Sequence, residues 1–472
     1  MTAASEAPAP APPVARPVAP PQGSRARTDA AVRAGAGTLL WLGLTLLAGW
    51  WSAGGGVADL GGWETGLTSL GRLTGLVSSL LLLVQVLLMA RVPVLERAFG
   101  QDRLARLHRV VGFTSFTLLL AHVGLVTWGY AAGHLAATPA TFWDLTVDYP
   151  GVLLAVAGTA CLVGVVVTSV RAARRRLRYE SWHLLHLYAY LGVGLALPHQ
   201  LWTGQDFLAS PAVTALWWAL WGTTVAAVLV FRVGLPLARS ARHRLRVTSV
   251  VPEGDGVLSV YLTGRDLGRL PVEAGQFLTW RFLTGSGWTR AHPWSLSAAP
   301  DGRSLRITVQ DAGDGSSALR SLRPGTRALV EGPYGRLSAR VRTRPRVALV
   351  GAGVGVAPLR ALAEGLAYAP GDAVLLYRFT GRPLFDAEFA TLAAERGLQV
   401  RYLPGHRRAG GSWLGAGCDG LDDAGALRAL VPDVADRDVY VCGPEGWADD
   451  VRRAAAAAGV PGARVHVEGF GW

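Results

Sequence analysis

The sequence predicts a multidomain membrane protein: a six-helix all-α transmembrane bundle, then an antiparallel β-barrel, then an α/β domain with a parallel sheet. Three observations predict it. Six uncharged apolar runs fill the first half of the chain. Short strand-like runs punctuated by Gly and Pro begin at about Arg244. A strand that leads into a glycine-rich turn opens the last part at Val347.

A chain of 472 residues has room for two or three domains. Half of the residues are hydrophobic and the mean hydropathy is positive, which is unusual for a soluble enzyme. The net charge is +13, and all 46 basic residues are Arg. These arginines cluster beside apolar runs. That placement fits the cytoplasmic edge of a membrane protein and argues against a nucleic-acid partner. The three cysteines, Cys161, Cys418 and Cys442, form no CxxC motif and no set of four. A Cys-ligated iron–sulfur cluster on this chain is thereby excluded, and a disulfide framework is not expected.

Residues 1–33 are rich in Ala and Pro, with seven prolines before Gln22, and are expected to be a disordered tail. Charge and proline stand where a signal peptide needs an apolar stretch, so none is expected. The apolar runs lie at roughly 37–53, 73–90, 110–133, 151–170, 181–202 and 208–231. Most approach the ~20 residues that span a hydrocarbon core. Together they delimit a membrane domain over 34–235. Arginine then sets the orientation. Arg91, Arg97, Arg103, Arg106 and Arg109 follow the second run. Arg171, Arg174, Arg175, Arg176 and Arg178 follow the fourth, and Arg232, Arg239, Arg242, Arg244 and Arg246 the sixth. The opposite loops hold Asp59, Glu64, Asp144 and Asp148, with Arg72 the one basic residue, at a helix edge. The positive-inside rule places both termini in the cytoplasm of a multi-pass inner (plasma) membrane protein.

Four histidines stand inside these runs. An ionisable group in a span is costly, so it is a functional candidate by default. His108 and His122 are 14 residues apart in the third run. Fourteen residues is close to four helical turns, so both rings face one side, about 21 Å apart along the axis. His186 and His199 are 13 residues apart in the fifth run, which points the same way through the membrane. An ideal helix aligns that pair poorly, and Pro198 supplies a kink. The simplest use of two such pairs is two stacked b-type haems. His108 and His186 would ligate the inner iron, and His122 and His199 the outer. The bland alternative is that each histidine bonds a neighbouring helix. Matched spacing on same-direction helices favours haem. His134 and His183 fit no pair.

Beyond Arg244, strand-like runs lie at Leu245–Val251, Val257–Leu262, Phe277–Phe282, Leu305–Gln310 and Ala328–Glu331. Turn signals at such spacing suggest a small barrel or sandwich over 243–340, of which the barrel is expected. Within it stands His292-Pro293-Trp294-Ser295-Leu296-Ser297, preceded by Arg290. This segment resembles the flavin-binding HPFTL-type motif of the NADPH oxidase and ferric reductase family, whose flavin domain is similar to that of ferredoxin–NADP reductase. The resemblance extends from about residue 37 to the C-terminus. It implies that FAD binds along this strand. A strand presents alternate side chains to one face. Trp294 would pack on the flavin, Ser295 would approach the redox-active ring nitrogen, and Arg290 and His292 would face the pyrophosphate. Trp and Ser stand where the family has Phe and Thr. The segment Gly313-Asp314-Gly315-Ser316-Ser317 precedes a helix and is read as the pyrophosphate turn, because glycine admits close backbone approach and a helix start favours an anion.

Strands expected at Val347–Val350, Ala373–Tyr377, Gln399–Tyr402 and Val439–Cys442 alternate with helices, which predicts a parallel α/β domain over 345–472. Its first turn contains Gly351, Gly353, Gly355 and Pro358 between strand and helix, the context of a dinucleotide site. It resembles the family's GxGxGxxP nicotinamide loop, with Ala357 where Thr is common. Cys442-Gly443-Pro444 matches the family's CGP motif, which implies a thiol beside the hydride path. The end of the chain, Glu468-Gly469-Phe470-Gly471-Trp472, resembles reductases whose terminal aromatic covers the flavin. Phe470 fits by its spacing from Glu468, and Trp472 by being last. Arg378 and Arg382 follow the second strand, where a 2′-phosphate of NADPH would be met; NADH stays open.

The resemblance implies electron flow from cytoplasmic NADPH or NADH through FAD and two haem b groups to an acceptor across the lipid bilayer. Oxygen, a ferric chelate, quinone and a periplasmic redox protein all remain as acceptors. Three rivals stand beside it. A haem-free membrane-anchored flavin reductase would lack a Soret band. A transporter with a regulatory nucleotide domain would move solute. A cytochrome subunit serving one partner would fail to reduce soluble acceptors.

Overall fold

The computed structural model describes residues 24–170, 179–208, 211–284, 290–311, 313–408, 411–415 and 420–469. Two compact units emerge, Arg27–Ala241 and a second built on Arg242–Trp472. The Arg171–Arg178 cluster lies outside the described residues.

The first unit is helical. Its main helices are α1 (Ser24–Ala53), α2 (Trp63–Leu88), α3 (Gln101–Tyr130), α4 (Val152–Ser169), α5 (Tyr179–Leu195), α6 (Leu197–Trp202) and α7 (Pro211–Ala227). A π-helical stretch, Val228–Gly234, and a last helix to His243 continue α7. Five helical segments are long and apolar enough to cross a membrane: Arg27–Ala53, Trp63–Leu88, Gln101–Tyr130, Val152–Ser169 and Pro211–His243. The run expected at 181–202 is split at Ala196 into α5 and α6, with Pro198 in the first turn of α6. Large apolar side chains face outward, as Leu39 at 72%, Trp41 at 70% and Leu153 at 64% exposure illustrate. A surface of this kind belongs against lipid, because water would penalise it.

One expectation is corrected here. Residues 24–33, assigned to a disordered tail, are the start of α1. No proline follows Pro21 until Pro93, so nothing breaks an Ala-rich helix there. The Arg33 guanidinium also donates to the Ala98 carbonyl at 2.8 Å, which anchors the early turns.

Small residues set the α2–α3 seam. A Cβ on Gly71 would lie 2.6 Å from Val126 Cγ2, and Ser78 donates to the Ser115 carbonyl at 2.7 Å. Close backbone approach of this kind is how helices gain contact without a hydrophobic driving force. Arg72 is paired with Asp206 at 2.6 and 2.9 Å.

The second unit opens with six strands: β1 (Arg246–Gly254), β2 (Val257–Thr263), β3 (Phe277–Phe282), β4 (His292–Ser295), β5 (Ser304–Gln310) and β6 (Ala328–Tyr334). They form two three-stranded antiparallel sheets, β1-β2-β5 and β4-β3-β6. Single bridges, Arg246–Arg327 and Leu296–Ile307, join the two. Leu258, Val260, Leu262, Leu278, Trp280 and Ile307 fill the space between them.

Five parallel strands follow: β7 (Val347–Ala352), β8 (Ala373–Phe379), β9 (Gln399–Pro404), β10 (Asp438–Gly443) and β11 (Val465–Gly469). Their order is β11-β10-β7-β8-β9. Strands β7 and β10 are buried along their whole length, as a sheet covered on both faces requires. The chain progresses outward from β7 in one direction and from β10 in the other. Their carboxyl ends therefore flank the switch point where such folds bind ligands.

Candidate functional site

In the helical unit, the four histidines meet in two pairs. The His108 and His186 ring centres are 6.1 Å apart, and those of His122 and His199 are 6.4 Å apart. Helix α3 carries the first member of each pair without interruption. The break at Ala196 lets His199 turn toward His122 despite the shorter spacing. His199 Nδ1 bonds the Ala196 carbonyl at 2.6 Å, at the break itself.

Three of the rings have a defined tautomer. His108 Nδ1 lies 3.0 Å from the Gln85 carbonyl oxygen, and His122 Nδ1 lies 2.8 Å from that of Gly71. A carbonyl only accepts, so Nδ1 of His108, His122 and His199 carries the proton. The lone pair is left on Nε2. The fourth ring, His186, has Nδ1 3.3 Å from the Ser169 hydroxyl, to which Trp182 also donates at 3.2 Å.

This geometry fits a haem iron. Two imidazoles that face each other across one metal, with metal–nitrogen bonds of about 2 Å, have ring centres roughly 6 Å apart. Ligating histidines also tie their other nitrogen to a carbonyl or similar group, as these do. Each position offers two imidazoles, and no cluster of three or more metal-binding side chains occurs among the described residues. A bare ion such as zinc wants about four ligands, whereas an iron inside a macrocycle wants two.

In the second unit, β4 is the edge strand of its sheet, paired only with β3. His292, Pro293 and Trp294 are half-buried along it, and the two rings stack at 5.1 Å. Trp280 donates to the Trp294 carbonyl at 3.0 Å and fixes the strand from behind. Arg290 is exposed just before it. Ser295 is buried and pairs with Phe277.

Leu296 and Ser297 do not present side chains to that edge. Leu296 is wholly buried in the core. The Ser297 hydroxyl receives bonds from Arg306 at 3.0 Å and Thr308 at 2.8 Å. The strand ends at Ser295, and its continuation turns inward to bond β5. The hydroxyls of the expected pyrophosphate turn are also engaged: Ser317 bonds the Asp311 carboxylate at 2.8 Å and Ser316 at 3.3 Å. The Ser317 bond, with Arg320 3.0 Å away, holds the Asp311 carboxyl below its ordinary range. Gly313 has φ +153 and opens that turn. Gly315 lies in its single helical turn, Asp314–Ser317.

The glycine turn after β7 is pressed against β10. A Cβ on Gly355 would sit 2.5 Å from the Cys442 carbonyl oxygen and 2.9 Å from Gly443 Cα. A Cβ on Gly351 would meet Leu359 of the following helix, α8 (Val356–Gly365), at 2.9 Å. Gly353, at φ +55, faces open space. Pro358 is buried in the first turn of α8, and Pro444 stands exposed before Glu445–Ala457. The Cys442 thiol is fully buried; burial and then the Glu468 carboxylate push it well above its ordinary range. Glu468 pairs in register with Cys442. Its carboxylate lies over Gly335, where a Cβ would be 3.1 Å from both oxygens and from Phe277. Phe470 and Trp472 lie outside the described residues.

Arg378 is the next-to-last residue of β8 and pairs with Ala352. Its Nε is buried with no hydrogen-bond partner among the described residues. Burial and Arg407 lower its pKa.

An ion network missed by sequence reasoning ties β5 to the parallel-sheet domain. Arg306 of β5 grips Glu388 of α9 (Asp386–Arg396) at 2.8 and 3.0 Å. Arg360 pairs with the same carboxylate. No local pattern marks it. Gly75 was missed too, although Gly71 and Gly75 form a small-xxx-small motif that could have been seen.

Comparison with known proteins agrees with both halves. The family described as "Ferric reductase like transmembrane component" matches residues 74–197. The ferredoxin reductase component of 3-ketosteroid-9-alpha-monooxygenase from Mycolicibacterium smegmatis is 31% identical over 48% of this chain and 65% of its own length. A flavohemoprotein from Xylella fastidiosa is 30% identical over 48% of this chain and 59% of its own. This chain thus spans less than two thirds of these relatives. The FAD/NAD-binding domain of nitric oxide dioxygenase from Vibrio cholerae aligns over 49% of this chain and all of that one, at 28% identity and a TM-score of 0.41.

Proposed function

From a chain that joins a ferric-reductase-like transmembrane region to a ferredoxin reductase-type FAD/NAD module, we propose a transmembrane oxidoreductase. It draws electrons from cytoplasmic NAD(P)H and delivers them through FAD and two b-type haems to oxygen or ferric iron across the membrane. When bound, FAD takes up a hydride and the haem irons pass single electrons. Quinone or a periplasmic redox protein would serve the same outlet. The arginine asymmetry supports a plasma-membrane protein with its second unit in the cytoplasm.

The observation that carries this reading is the pair of facing imidazoles, repeated at two levels of one helix, with the lone pair left on Nε2 in three of the four rings. His108 and His186 would hold the inner haem, and His122 and His199 the outer. The chain's other residues have positional roles. The bridged sheets support the expected barrel, with His292, Trp294 and Ser295 offered along the edge of β4 for FAD. Gly353 lets a dinucleotide approach the backbone at the switch point, while Gly351 and Gly355 let the turn pack against α8 and β10. Gly443 and Pro444 form the opposite wall. Arg378, whose Nε has no hydrogen-bond partner among the described residues, supports a 2′-phosphate contact, hence NADPH.

An anaerobic absorption spectrum of detergent-purified protein, before and after NADPH, tests this. A Soret band with sharpened reduced α-bands and bleached flavin is expected. Bleached flavin without any haem band would leave a membrane-anchored flavin reductase.

A further inference from the structure

Helix α2 supplies no histidine, yet it touches both members of the α3 pair. The two carbonyls that receive His108 and His122 belong to Gln85 and Gly71. They are 14 residues apart, 85 − 71, and so are the histidines, 122 − 108. The helices run antiparallel, so the two bonds repeat the same contact one fixed length along the seam.

Each carbonyl is open for a different reason. Gln85 stands at the end of α2, where the Met89 N–H bonds Val86 rather than Gln85. Its carbonyl is one of the orphans that every helix end leaves. Gly71 lies mid-helix, and its carbonyl also accepts from Thr74 Oγ1 at 2.8 Å. It is reached only because Gly75 has no side chain. A Cβ there would lie 2.6 Å from His122 Nδ1, 2.9 Å from Cε1 and 3.0 Å from Cγ. The ring occupies the space that any other residue at 75 would fill.

We infer that α2 is the orienting rail of both haem sites and that Gly75 is the positioning residue of the outer one. The rail fixes the proton on Nδ1 and turns Nε2 toward the partner helix. Gly75 admits the outer ring, whereas the inner ring relies on a helix end. This inference rests on the paired-histidine haem reading. It adds that a methyl group on α2 is felt at one haem and not at the other.

The test compares Gly75→Ala with Gly124→Ala in the full-length, detergent-purified protein. Gly124 lies on α3 two residues past His122, and a Cβ there meets nothing within 4 Å. Haem is counted per chain, and low-temperature EPR of the oxidised protein reads the relative orientation of the two imidazole planes at each iron. Gly75→Ala is expected to shift one low-spin signal or to lower the count from two haems to one. The other signal stays unchanged and shows that the bundle is folded. Gly124→Ala is expected to keep both. Two wild-type signals in Gly75→Ala would overturn the inference, as would equal loss of both haems. A wild-type protein with no haem would overturn the haem reading itself and this inference with it.

Discussion

A Cβ on Gly355 would lie 2.5 Å from the carbonyl oxygen of Cys442. Two segments almost ninety positions apart in sequence are therefore in backbone contact across the switch point. The atoms met are main-chain, so they cannot swing aside as a flexible side chain would. Gly355→Ala must push the turn away from β10. Overpacking of this kind costs about 1–3 kcal/mol. Flavin reduction by NADPH should slow roughly tenfold or more, where tenfold equals about 1.4 kcal/mol. Stopped-flow absorbance would show it, with Gly462→Ala, which meets nothing within 4 Å, behaving as wild type.

Arg378 near the end of β8, whose Nε has no hydrogen-bond partner among the described residues, predicts a cofactor preference. Arg378→Ala should raise KM for NADPH about tenfold, on the order of one lost charge-assisted contact, and leave that for NADH unchanged. Steady-state kinetics with both nucleotides decide it. Equal effects on the two would remove Arg378 from the 2′-phosphate.

Glu388 gives the second unit an acid-sensitive tie. Burial raises its carboxyl pKa, but Arg306 and Arg360 outweigh that, and the net value is below the ordinary range. A depressed folded pKa contributes stability that is present above the unfolded value, about 4.3, and lost as pH falls through the folded one. Glu388→Gln should therefore lower Tm at pH 7 by removing the partner of two arginines. Its deficit relative to wild type should shrink below about pH 4. Melting curves over pH 3–7 on a flavin fluorescence signal would measure both; a constant deficit would reject the tie.

Cys442 should be inert in the folded protein. Its thiol is wholly buried and its pKa is raised first by burial and then by Glu468. Thiolate is the reactive form. Iodoacetamide at pH 8 should leave Cys442 unlabelled in native protein and label it in denaturant, as read by peptide mass spectrometry. Fast native labelling would mean that the strand end opens.

Much of this was legible because the signals are local. The strand before Gly351 is a run of apolar residues ending in glycine, and it forms β7 as such a run should. The matched spacing of His108 and His122 needed only the helical repeat. Pro198 marked the break beside His199. The resemblance to ferric reductases, read from residues such as His292–Ser297 and Cys442–Pro444, is met by a family match over 74–197. What stayed hidden depends on distant partners. Arg306 and Glu388 are 82 residues apart and carry no shared motif. Leu296 and Ser297 continue the flavin segment in sequence but turn inward to β5, which only the sheet register shows. The start of α1 was lost because composition averaged a helical stretch into a proline-rich neighbour.

The interruption at Ala196 divides labour between the two histidine-bearing elements. On α3, both imidazoles ride one unbroken rod, so neither can shift along the membrane without the other. On the opposite side, His199 sits in a six-residue segment of its own, jointed to the helix that carries His186. One side of the paired histidines is a ruler and the other is two jointed pieces. A disturbance that arrives from the loop after Trp202 would therefore meet the His122–His199 pair before the His108–His186 pair.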